Sequence, residues 1–246
     1  GYALLAESGG KNHVIAEDGS LKAETYGLAG VKATGGGQNT LEGRGNATVT
    51  VNSYNGEGML TDGGSNTVSA EDGKITILGN SGAGIRAADD GLNSISGKQI
   101  DITGNRGAGA IATGSGKNTV TGNDGAVNIK GLSGLLADGG ENTVSVNNGS
   151  ISVYGSSSGS NAGAEAINGG SNTINATGST TVSATGYQYG LYATNGNNTI
   201  SAEDGKVTIS GNYGVGMSAG AGGFNRVDGS DIAVTSYKNA VDSHAG

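Results

Sequence analysis

Nine asparagines stand at nearly constant spacing along this 246-residue chain: Asn12, Asn39, Asn66, Asn93, Asn118, Asn142, Asn172, Asn198 and Asn225. The intervals are 27, 27, 27, 25, 24, 30, 26 and 27 residues, so one unit repeats from end to end. A period in the twenties is that of a solenoid, each repeat a coil stacked on the last. The residue type narrows the kind of solenoid. A side-chain amide both donates and accepts, so stacked Asn residues can hydrogen-bond from coil to coil as an internal ladder.

Gly supplies 51 residues, with no Pro, Cys or Trp and a single Phe. The Gly follow no strict three-residue period, which excludes collagen. So little apolar material ordinarily leaves a chain disordered. Here the Gly fall at repeated positions between short Val/Ile/Leu runs and read as corners that need positive φ. An apolar content of 34 % is enough for a narrow core one side chain deep. The net charge of −8 argues against nucleic acid and anionic membrane as partners. No apolar run approaches the ~18 residues of a membrane span. The start, Gly1-Tyr2-Ala3-Leu4-Leu5, has neither a signal-peptide pattern nor an initiator Met, which points to an excised or processed segment.

One coil, residues 56–81, shows the template. Alternating stretches at Met59–Thr61, Asn66–Ala70 and Lys74–Leu78 are bounded by Gly or Asn, and period-two alternation marks half-buried strands. Val68, Val120, Val144 and Ile200 then stack as one internal file, with Ile77, Ile102, Ile129, Val153 and Ile209 as another. Three strands and three corners in ~27 residues predict a right-handed parallel β-helix of about nine coils, a single domain over residues 1–246. Rungs ~4.8 Å apart give a rod about 40–45 Å long. Neither end carries a capping pattern, so more of the array is expected to flank this segment.

The corner after each ladder Asn is often acidic, as at Glu17-Asp18, Glu71-Asp72, Asn123-Asp124 and Glu203-Asp204. Arg44 and Lys98 occupy it on intervening coils. Acidic corners two rungs apart are separated by ~10 Å, too far to share a calcium ion. Alternating charge relieves repulsion along the stack, and no metal or cofactor is expected. Asp89-Asp90 is the one adjacent Asp pair and sits at a corner, while His13 and His244 lie near opposite ends. The Gly-His-Gly and Arg-x-Lys elements of the pectin hydrolases are absent, so a polysaccharide-acting enzyme is the weaker alternative and the chain reads as non-catalytic.

Gly63-Gly64-Ser65-Asn66-Thr67-Val68-Ser69-Ala70-Glu71-Asp72-Gly73-Lys74-Ile75 resembles repeats in the passenger domains of Gram-negative autotransporter adhesins and related large surface proteins. The resemblance covers essentially the whole chain. It implies an extracellular location, on the bacterial surface or secreted, and a role in adhesion. The translocator barrel and signal peptide of a complete member are not in this sequence.

Departures from the repeat mark candidate binding features. The longest interval holds an insertion, Tyr154 to Ala162, at a corner. Tyr187, Tyr189, Tyr192 and Tyr213 are expected on one corner of adjacent coils, where exposed rings can stack on sugars or anchor a protein. Tyr26 and Tyr54 take that place near the other end. Outward Thr67/Ser69, Ser94/Ser96, Thr119/Thr121, Thr143/Ser145 and Thr199/Ser201 form two hydroxyl files like those of some ice-binding proteins, interrupted by Glu42, Asn175, Arg226 and Asp228. The sequence thus predicts a rigid adhesive stalk that meets a glycan or protein receptor. End-to-end self-association into a filament is the alternative.

Overall fold

A computed structural model describes residues 1–156 and 161–243, and every regular element among them is a β-strand. None of the structure is a helix long and apolar enough to cross a membrane. The strands form two sheets, ten-stranded and thirteen-stranded, in which all named strands pair in parallel with their equivalents in neighbouring coils. The ten-stranded sheet starts at Tyr2–Glu7 and ends at Val241–Ser243. The thirteen-stranded sheet holds the ladder asparagines, which pair in unbroken register from Asn12 to Asn225. The parallel solenoid of about nine coils is therefore present.

Three separate strands per coil is too simple. In the coils of Asn12, Asn39, Asn142 and Asn172 the segment after the corner is a separate strand. In the other five it runs on without a break, as in Ser65–Gly79 and Asn197–Gly211. The acidic corner is taken up as a register shift. Gly97 pairs with Ala70 and Gln99 with Lys74, so Glu71-Asp72-Gly73 bulges against the single Lys98. Peptide groups on either side keep their partners, so the strand need not end.

The core consists of stacked files, as the alternation predicts. Leu41, Val68, Ile95, Val120, Val144, Ile174 and Ile200 are buried in successive register. Val51, Ile77, Ile102, Ile129, Val153, Ala184 and Ile209 form the second file. A third, in the ten-stranded sheet, runs through Val31, Met59, Ile85, Ala110, Leu135, Ala164 and Leu191. Full burial of one such aliphatic side chain stabilises by about 1.5–3 kcal/mol. Val14, which pairs with Leu41 in the first described coil of the first file, is 37 % exposed, whereas Leu41 is fully buried.

Many glycines are required for closeness rather than for positive φ. Gly63, Gly114, Gly139, Gly169 and Gly222 do have positive φ at the corner before the ladder. Every ladder Asn, however, follows a Gly by two residues, from Gly10 to Gly223. There the chain crosses the preceding strand so tightly that a Cβ on Gly140 would stand 2.7 Å from the Ala112 carbonyl carbon. A second column, Gly58, Gly84, Gly109, Gly134, Gly163, Gly190 and Gly216, is squeezed between coils and the second aliphatic file. A Cβ on Gly58 would lie 2.5 Å from the Gly84 oxygen and 2.6 Å from an Ile77 methyl.

Candidate functional site

The ladder is continuous. Each Asn from Asn12 to Asn198 donates from Nδ2 to Oδ1 of the next, at 2.8, 2.9, 3.2, 2.9, 2.8, 2.9, 2.9 and 2.9 Å. The second amide hydrogen goes to a backbone carbonyl six or seven residues earlier, such as Ile111 for Asn118 at 2.7 Å and Tyr192 for Asn198 at 2.7 Å. One side chain thus ties coil to coil and one sheet to the other across the corner. Among the described residues no buried side-chain nitrogen or oxygen lacks a partner. The ladder's chemistry is spent on the fold.

A second, shorter amide file escaped the sequence reading because its spacing is shared by only three coils. Asn105 donates to Asn80 at 2.7 Å, and Asn80 to Asn52 at 3.0 Å. It runs along the corner that carries the tyrosines. Tyr26 and Tyr54 stack there, with ring centroids 4.6 Å apart and planes 16° from parallel.

At the opposite end of the rod the four candidate tyrosines do not share one corner. Tyr187 and Tyr213 do, their rings 4.7 Å apart and the Tyr213 amide donating to the Tyr187 carbonyl. Tyr189 and Tyr192 belong to the strand Tyr189–Thr194 and stand on the outer surface of the ten-stranded sheet, 4.8 Å apart. The strand has already begun at Tyr189, so of the three tyrosines in this coil only Tyr187 is left on the corner. Tyr213 is 59 % exposed and the other three are partly covered. Of the insertion, Ser157, Ser158, Gly159 and Ser160 lie outside the described residues, as does His244.

Charge compensation between coils is real on one acidic corner. Arg44 bonds Glu17 of the coil before it at 2.9 Å and its own strand's Glu42 at 2.6 Å. Glu42 also meets His13 at 3.1 Å. The Arg44 hydrogen bond, then that of His13, holds the Glu42 carboxyl below its ordinary range. Lys98 instead lines an open cleft with Asp72, Lys74 and Asp124 and makes no ion pair among the described residues. Asp89 and Asp90 are exposed turn residues with φ of 44° and 64°. Among the described residues neither forms an ion pair, and the Asp90 backbone amide donates to Ser115 Oγ at 2.9 Å.

The hydroxyl file is longer than the sequence pairs suggest. Thr40, Thr67, Ser94, Thr119, Thr143, Thr173 and Thr199 follow one another in register on seven coils. The neighbouring file is broken at Asn175, and Glu42 and the Arg226–Asp228 pair close the face at either end.

Glu165 is a residue that the repeat pattern does not single out. It faces outward beside Tyr192 of the next coil and is half-buried. Its Oε2 accepts from Ser133 Oγ at 2.7 Å. Burial, with a smaller contribution from the negative charge of Asp138, raises its pKa despite the Ser133 bond. The signal that could have found it is an acid in an outward file otherwise occupied here by Leu136 and Tyr192.

No protein-family model, curated protein or solved structure matches this chain.

Proposed function

We propose that this chain is a non-catalytic, rigid stalk of a bacterial surface or secreted protein, wound right-handed, that carries a receptor-binding patch of tyrosines. The observation that carries this reading is the unbroken amide ladder from Asn12 to Asn225, which ties every coil to the next. Such a body resists bending because flexing opens buried hydrogen bonds along one side. Extension without a hinge is what a spacer requires. The patch at Tyr187, Tyr189, Tyr192 and Tyr213 supports the adhesive half, since clustered half-exposed aromatics are favoured at recognition surfaces. The extracellular location rests on the resemblance of the repeat to passenger domains.

Two measurements test it. Small-angle scattering should give a rod of about 45 Å, nine to ten rungs at ~4.8 Å; a globular or flexible profile sinks the stalk. A glycan and matrix-protein array should show saturable binding that Tyr187→Ser/Tyr213→Ser or Tyr189→Ser/Tyr192→Ser abolishes. Silence across the array, or binding indifferent to both pairs, removes the adhesive half.

One observation favours filament formation as a second reading. Among the described residues, Asn12 Oδ1 has no donor and the second Asn225 amide hydrogen no acceptor, so the two ladder ends are complementary. Light scattering against concentration separates the readings: growth in mass supports a filament, and constancy over a hundredfold range excludes it.

A further inference from the structure

The outer surface of the ten-stranded sheet carries one file of side chains that runs through Leu60, Arg86, Ile111, Leu136, Glu165 and Tyr192. At its Arg86 end the chain satisfies its own charges, since Arg86 reaches Glu57 of the coil before it at 3.6 Å. At its Tyr192 end it does not. Glu165 is held by Ser133 and Asp138 by the Asn168 amide at 2.8 Å, yet among the described residues neither carboxylate has a cationic partner. Beside them stand the Tyr189 and Tyr192 rings, tilted 30° to each other.

A partly desolvated carboxylate without a counter-charge costs free energy that an arriving cation recovers. The faces of aromatic rings attract the same cations. Guanidinium suits such a site better than ammonium. It is planar and weakly hydrated, and it stacks on a ring while donating to a carboxylate. The pairing of Arg86 with Glu57 shows that this sheet surface accommodates an Arg side chain. The net charge of −8 favours approach of a basic partner.

We infer that Tyr189, Tyr192 and Glu165 form a binding site for an arginine side chain presented by a protein receptor. This rests on the reading that the tyrosine-bearing end of the rod meets the receptor, and it narrows that receptor to a protein with a basic contact surface.

The test is NMR titration of the whole segment with a short capped peptide containing two arginines. Parallel titrations use its citrulline analogue, which keeps the shape and lacks the charge, and a lysine analogue. Saturable shifts should centre on Tyr189, Tyr192 and Glu165. Affinity should fall about tenfold or more for the citrulline peptide and for Glu165→Gln, the loss of one charge-assisted bond. The lysine peptide should bind more weakly than the arginine one. Equal binding of arginine and citrulline peptides, shifts centred on the Glu71-Asp72 corner, or absence of binding overturns the inference. So does a preference for an amine-bearing glycan. In each case the broader reading survives if array binding still depends on the tyrosines, and falls only if that dependence is absent too.

Discussion

Asn118 donates one amide hydrogen to Asn142 Oδ1 at 2.8 Å and accepts from Asn93 at 2.9 Å, so the middle of the rod has no rung that is not shared. Its remaining hydrogen is fixed on the Ile111 carbonyl. Asn118→Ala therefore strands three polar groups. Each costs roughly 1–3 kcal/mol if it stays buried and unpaired. The expected outcome is a clear loss of stability in denaturant unfolding, larger than for Asn12→Ala at the open end. An unchanged midpoint for Asn118→Ala would show that the ladder is not structural.

Gly109 lies in the column pinched between coils, where a Cβ would meet an Ile129 methyl at 2.5 Å and the Gly134 oxygen at 2.7 Å. Neither neighbour is the free end of a flexible side chain. Gly109→Ala is expected to destabilise by about 1–3 kcal/mol, the usual cost of overpacking. Ser94→Ala, on the outward hydroxyl file, should stay within about 0.5 kcal/mol. Thermal unfolding of the two variants side by side makes the comparison, and equal midpoints would refute the close-approach argument.

The raised pKa of Glu165 has a sign that can be checked. The folded state takes up this proton more readily than the unfolded chain. Ionised Glu165 thus destabilises the fold above its folded pKa, and the penalty fades as pH falls through that value towards the unfolded one of 4.5. Glu165→Gln keeps an acceptor for Ser133 and removes the charge. The variant should melt higher than the parent at neutral pH, with the gain vanishing in mild acid. A difference independent of pH would assign the effect to packing instead.

Tyr26 and Tyr54 form the most nearly parallel ring pair in the described structure, on neighbouring coils and largely in solvent, with Tyr26 76 % exposed. A double-mutant cycle with Leu at both positions should give a coupling of about 0.5–1.5 kcal/mol, the contribution of an aromatic pair beyond its buried area. Additive single-mutant effects would mean that the rings touch without stabilising each other.

The repeat was legible in the sequence because stacking turns one chemical requirement into a periodic one. A buried amide at one rung needs an amide at the next, and Asn66 above Asn39 obeys the same rule as Asn198 above Asn172. The aliphatic files of Val68 and Ile77 followed from period-two alternation for the same reason. What the spacing could not give was the path of the chain at its irregular points. Continuity of the strand through Glu71-Asp72-Gly73 depends on how hydrogen bonding resumes beyond a bulge, which involves the neighbouring coil.

The candidate site was legible only as a list of tyrosines. Their division into a corner pair and a sheet-surface pair depends on where the chain turns between Tyr187 and Tyr189. Glu165 joins the second pair through a register that links residues 27 apart. Its burial is likewise a property of its neighbours, Leu136 and Tyr192, on coils either side. The sequence by itself determined the solenoid, its ladder and its core, because each is a repeated local pattern that only stacking can satisfy. The tertiary structure alone decided which charges are paired and which rings meet, because those depend on side chains brought together across coils rather than along the chain.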